Sequence, residues 1–160
     1  MDDTIEGTDA CAKIHILITP CAAILLSKIN SIMNTDDRFA RGKDLIDELM
    51  QGKGSELIEK MSAASQDLAA LTVAFPFGEI YTRPGLDLRS RELVTLSALV
   101  VLGAWPQFKV HVRGALSAGC SETEIKELII QLAVYAGFPA ALNAMQAAGE
   151  VFQEVATEQQ

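Results

Sequence analysis

Of the residues in this chain that can do chemistry, His111 is the best placed. At helical spacing Phe108, His111, Ala115 and Ala118 share one ridge, while Lys109 and Arg113 point elsewhere. The ring therefore lies on an apolar face, and the small residues that follow it leave room for a ligand beside it. An ordinary core histidine with one satisfied hydrogen bond would look the same. Glu79 falls in line with Thr72 and Phe75 and so turns inward. A buried carboxylate is costly unless paired or protonated, so Glu79 is either the end of a solvated stripe or the partner of His111. Arg83 and Arg113 can each grip a carboxylate through two parallel hydrogen bonds. Gln107, one turn before the histidine, and Tyr135, a polar group on a mostly apolar helix, complete the expected substrate contacts. A histidine with a carboxylate behind it is suited to proton transfer and to stabilising a developing oxyanion.

Other chemistries find less support. Cys120 follows a helix-ending glycine and precedes a helix start, a place where a thiolate can be activated, but a small half-buried structural cysteine is the better reading. Cys11, Cys21 and Cys120 form no CxxC pair and, being odd in number and scattered, no disulfide framework. With only His15 and His111 in addition, a metal site would need an unusual ligand set, so no metal is expected. Residues 51–54 are glycine-rich but lack the phosphate-loop pattern.

The elements that must position these groups are helices. Apolar residues make up 49% of the 160, aromatics only 6%, so the core rests on Ala, Leu, Ile and Val, a mix that suits close-packed helices. Residues 38–50 form an amphipathic stretch with Leu45, Ile46 and Leu49 on one side, broken at 51–54; Ser55 is positioned to cap the next helix. A helical run over 65–81 places Leu68, Leu71, Thr72, Phe75 and Glu79 on one stripe, with a kink or restart expected at Pro76. After the turn at 83–87, Asp87 caps a helix that ends near Gly103. That helix is apolar almost all round, which predicts cover on every side and hence a subunit interface. Trp105-Pro106 opens the helix that carries His111, and Gly119 ends it. Ser121 and Glu124 form a capping box for the next helix, Gly137 stops that one, and Pro139 begins the last. No alternating strand pattern of useful length occurs, so the reading is all-α.

The formal net charge of −8 disfavours nucleic acid as a partner. The apolar run 14–26 is too short to span a bilayer, is interrupted by Pro20 and follows acidic residues. It is read as a buried or partner-covered segment of a soluble, cytoplasmic protein with reduced thiols and no membrane partner. The expected organisation is an extension over residues 1–35 followed by one helical domain over 36–160.

Three blocks resemble the carboxymuconolactone decarboxylase family: Phe77-Gly78-Glu79-Ile80-Tyr81-Thr82-Arg83-Pro84-Gly85-Leu86-Asp87, then His111-Val112-Arg113-Gly114-Ala115-Leu116, and Ala133-Val134-Tyr135-Ala136-Gly137-Phe138-Pro139-Ala140-Ala141. The likeness runs over roughly residues 38–152, a span read by eye with soft boundaries. It implies a compact helical subunit of the alkylhydroperoxidase D-like type, oligomerising through apolar helices into a trimer or a hexamer. It also implies cofactor-free loss of carbon dioxide from a small lactone or keto acid, with His111 and Glu79 catalytic and Arg83 or Arg113 on a second substrate carboxylate. Two departures bear on the substrate. Gln107 stands where the lactone decarboxylases tend to carry an acid, and Ser117 falls in a segment where asparagines are usual. A thiol peroxidase of the sister branch would need the missing CxxC pair. A non-catalytic, oligomeric ligand-binding protein of the same family is the main alternative.

Overall fold

Helix starts and stops follow the capping chemistry of the sequence closely. The computed structural model describes residues 35–158, with side chains from 37 onward. The run 14–26 and nearly all of the expected extension 1–35 lie outside the described residues. Helix α1 spans Thr35–Leu49, α2 Gly54–Ala64 and α3 Gln66–Thr72; a wider, π-helical segment follows over Val73–Ile80. Then come α4 (Leu88–Leu102), α5 (Trp105–Ser117), α6 (Glu122–Tyr135) and α7 (Phe138–Glu158). Among the described residues there is no strand, so the all-α reading holds.

Asp87 caps α4 by accepting from the Ser90 amide at 2.7 Å. Gly103 ends that helix in the left-handed conformation (φ 65°), which a side chain would resist. Ser121 and Glu124 form the expected reciprocal capping box on α6. Ser55 does not cap α2. The helix begins one residue earlier, and the Gly54 amide donates to Asp47 Oδ1 at 3.1 Å, so a carboxylate of α1 does the work expected of the serine.

The largest difference from expectation lies at Pro76. No break occurs there; the turn widens, and the Tyr81 amide donates to the Pro76 carbonyl at 2.9 Å, five residues back. A π turn holds an extra residue, which gives the proline ring space and rotates the face that follows. Leu68, Leu71 and Phe75, expected to share the stripe with Glu79, are exposed, while Val73, Ala74 and Gly78 are buried.

Two apolar clusters organise the subunit. One joins α4 to α7 around Leu96, Val100, Phe108, Val112, Ile125, Ile129, Ala144 and Val151. The other gathers Ile46, Leu49, Met50 and Val73 with Phe77, Leu57 and Val110 around them. Helix α1 crosses the π segment backbone to backbone through Gly42 and Gly78. In α4 the buried ridge is Glu92, Leu96 and Val100, whereas Val94, Val101 and Leu102 face outward. The cover predicted on every side of this helix is thus not supplied by the described residues. Ile130, Val134, Tyr135, Phe138 and Leu142 extend the exposed apolar surface over α6 and α7. No described helix is long and apolar enough to cross a membrane.

Candidate functional site

Three elements meet at His111. Helix α5 presents the ring from the ridge read in the sequence, with Phe108 and Ala115 fully buried on either side. Helix α4 brings Glu92, which is 0% exposed, and its Oε2 lies 2.9 Å from His111 Nδ1. An ionised carboxylate can only accept, so with Glu92 charged it is Nδ1 that carries the proton and Nε2 that is left for other work. Glu92 Oε1 has no hydrogen-bond partner among the described residues. Gly114, one turn beyond Val110 on α5, makes room for this carboxylate: a Cβ there would stand 3.3 Å from it. The π segment supplies the aromatic wall. Phe77 stacks on the His111 ring (centroids 6.1 Å apart, planes 7° apart), and Tyr81 leans on it at 6.4 Å.

The expected pairing of Glu79 with His111 is not what the chain forms. Glu79 makes an ion pair with Arg38 of α1 at 3.0 Å, both side chains about a quarter exposed. The widened turn at Pro76 turns Glu79 toward α1, and the stripe that pointed it inward no longer applies. Glu92 takes its place. Sequence reasoning passed over this residue because α4 read as apolar almost all round; a lone carboxylate sharing a helical ridge with Leu96 and Val100 was the available signal.

The expected substrate contacts are dispersed. Arg113 is committed to α7, bound to Glu154 at 3.0 Å and Glu158 at 2.9 Å. Arg83 is exposed in the turn before α4, where its carbonyl accepts from Arg91. Gln107 is exposed on α5, and Tyr135 is exposed beside Val134 and Phe138 at the end of α6. None of the four lines the pocket at His111. That pocket has a volume of only about 10 Å³ and, apart from His111 and Glu92, is apolar, walled by Ile46, Leu49 and Met50 at the end of α1, Leu57 of α2, Phe77 and Val110. Small-molecule sites run to roughly 300–1,000 Å³, so a ring-sized acid needs this rim to yield. The roomier grooves along α6, toward α4 and toward α7, contain neither histidine nor cysteine.

Cys120 does not join the site as a nucleophile. It is 4% exposed, and burial pushes its thiol above the ordinary range, with the Glu92 and Asp87 charges acting the same way against the opposing pull of Arg89. A thiol held protonated reacts slowly. Brief treatment of the folded protein with iodoacetamide at pH 8 is therefore expected to leave Cys120 unmodified in a peptide map, and denaturation to expose it. Rapid labelling in the folded state would contradict this.

A buried Glu–His pair faced by aromatic rings, in an all-helical chain, is an arrangement chemically able to pass a proton. The family model that matches the chain is the carboxymuconolactone decarboxylase family, over residues 66–150, a span that includes Tyr81, Glu92 and His111. The chain is 34% identical to the 4-carboxymuconolactone decarboxylase of Acinetobacter baylyi over 124 residues, covering 77% of this chain and 92% of that protein. It is 39% identical over 75 residues to nitrosuccinic acid decarboxylase npaB of Metarhizium robertsii, covering 47% of this chain and 52% of that one. The chain belongs to the carboxymuconolactone decarboxylase family. Decarboxylation is the activity its named relatives share.

Proposed function

We propose that this protein is a cofactor-free carboxy-lyase acting on a small activated acid, a lactone acid of the 4-carboxymuconolactone kind in the first instance. The observation that carries the reading is the fully buried Glu92 held 2.9 Å from His111 Nδ1. In such a reaction the bond to the departing carboxylate breaks, carbon dioxide leaves, and the electron pair passes into the conjugated carbonyl to give an enolate. That charge needs a hydrogen-bond donor, and the carbon then needs a proton. His111, cationic against Glu92, supplies both from Nε2 and is recharged from solvent. Glu92 holds the ring in one tautomer and stabilises the imidazolium, as a buried carboxylate does behind other catalytic histidines. The apolar rim strengthens these electrostatic interactions by excluding water.

Both relatives' names supply substrates to try. Release of carbon dioxide from 4-carboxymuconolactone and from nitrosuccinic acid, each measured with purified protein, tests the reading. Turnover of either supports a lyase and points to the substrate class. No release from these or related activated acids would leave the ligand-binding alternative, which the departure at Gln107 favours, and thermal stabilisation by an acid without turnover would mark that case.

The quaternary reading belongs to the same proposal. Val94, Val101 and Leu102 on α4 and Val134, Phe138 and Leu142 on α6 and α7 are large apolar side chains left exposed, and clustered apolar exposure of this kind is a mark of an interaction surface. We assign it to contacts between copies in a cytoplasmic homo-oligomer, a trimer or a hexamer. Arg83, Gln107 and Tyr135 would then act, if on substrate, where subunits meet. Residues 1–35 are kept as an extension to the helical domain.

A further inference from the structure

The pocket at His111 holds about 10 Å³, too little for an organic acid, so room beside the ring has to come from one of its walls. The walls are not equally fixed. Ile46 and Leu49 are 1% exposed on α1, and α1 meets the π segment backbone to backbone at Gly42 and Gly78. Glu92 is fully buried on α4, Phe77 is stacked on the histidine ring, and Val110 belongs to the helix that carries it. What remains is Leu57 of α2, with Met50 at the joint between α1 and α2. Helix α2 is the least anchored of these elements. Gly54, at its start, is its one buried residue; Leu57, Ile58, Met61 and Ser62 are half-buried, and the others are exposed. The helix packs chiefly against α1 and α3, to which the single extended residue Ser65 joins it. Its first turn is tied down by the Gly54 amide on Asp47 and by the Lys53–Glu158 ion pair at 3.1 Å, an exposed contact of a kind that contributes little. Between α1 and α2 the chain passes through two consecutive left-handed residues, Gln51 (φ 52°) and Gly52 (φ 86°).

We propose that α2 is the lid of the His111 pocket: hinged at residues 51–53, it lifts Leu57 off the pocket to admit a small organic acid and closes again over it. A segment with few buried apolar contacts opens at far lower cost than the core around it. A short turn of left-handed residues is a place where a change of backbone angle can be absorbed. In the closed form Leu57 and Met50 shut the pocket with apolar side chains, so that water is excluded while His111 and Glu92 act. The same two residues set how large a guest the closed pocket accepts. That the guest is an acid to be decarboxylated rests on the proposed function; the motion does not, and it is measurable without turnover.

Diethyl pyrocarbonate, which adds an ethoxycarbonyl group to an accessible imidazole, reads the opening. The full chain is treated near neutral pH, and the rate of modification at His111 is followed by peptide mapping, which counts His15 apart. Gly52→Ala is the lid variant. A Cβ at Gly52 meets nothing within 4 Å, so it brings no clash, but it strains the left-handed backbone of the closed turn. Opening relieves that strain, and the rate at His111 should rise about tenfold, the factor such strain is worth. Gly119→Ala is the matched control, with a similar positive φ (89°) and the same open surroundings, but placed between α5 and α6. It should lower the midpoint of thermal unfolding by a similar amount and leave the rate at His111 near that of the parent. A rise of equal size in both variants would mean that the reagent arrives by general unfolding. No rise in either would mean that it passes a closed α2, by way of the 17% of the His111 side chain that is exposed. Each of these results overturns the lid. A rise confined to Gly52→Ala in a protein that releases no carbon dioxide would uphold the lid and remove the reaction.

Discussion

Exchanging Glu92 for glutamine is expected to lower kcat by about a hundredfold or more while leaving the chain folded, in the range by which positioned acid–base groups contribute. The glutamine side chain is nearly isosteric and neutral, so the cavity is filled and the buried charge is gone. What is lost is the charge 2.9 Å from His111 Nδ1 that stabilises the imidazolium. The amide can also turn its nitrogen to the ring and force the proton onto Nε2, where it no longer answers to the protonation state of the pair. KM should change less than kcat, since the fully buried Glu92 is engaged with His111 Nδ1. Glu79→Gln is the matching comparison. Its pair with Arg38 is about a quarter exposed, and such pairs contribute about 0–1 kcal/mol, so a small change in stability and near-normal turnover are expected. Steady-state kinetics on both variants decides the matter. A severe loss in Glu79→Gln with an active Glu92→Gln would restore the pairing read from the sequence.

The second large effect is structural. Gly78→Ala should lower stability by about 3 kcal/mol or more, the upper end of what forced overpacking costs. An added Cβ would sit 1.9 Å from the Arg38 carbonyl oxygen, and the reciprocal change at Gly42 would put one 2.0 Å from that of Val73. Both obstacles are backbone, so neither can turn aside as a flexible side chain would. The only relief is to part α1 from the π segment, which also disturbs Phe77 and Tyr81 against His111. For a domain of this size, the midpoint of thermal unfolding followed by circular dichroism should fall by about 10 °C or more. A midpoint within a degree or two of the parent would show that the two backbones are not in contact.

Much of the architecture was legible because it depends on local chemistry. Asp87, Gly103, the Ser121–Glu124 box and Gly137 mark their helix ends by side-chain hydrogen bonds or by a positive φ, and each is a property of a few adjacent residues. The ridge carrying His111 was legible for the same reason, since α5 is a regular helix and its period holds. The π segment was not. Pro76 announces that an ordinary helix cannot continue, but kinking and widening answer that conflict equally well in composition, and only the second rotates Glu79 toward Arg38. The wrong partner for His111 followed from that one extra residue. Glu92 was hidden differently: its pairing joins residues nineteen apart through two helices, and no local pattern encodes it. The dispersal of Arg83, Arg113, Gln107 and Tyr135 is likewise a matter of tertiary placement.

Whether His111, backed by Glu92, removes carbon dioxide from a small activated acid is open to one direct measurement. It is release of carbon dioxide from 4-carboxymuconolactone by the purified protein, with His111→Ala assayed beside it at matched folded concentration. Turnover by the parent that falls by about 10²–10⁴-fold in the variant is the predicted result, the range expected when a general acid is removed. Turnover that survives His111→Ala undiminished would contradict this role for His111 and move the chemistry away from this site.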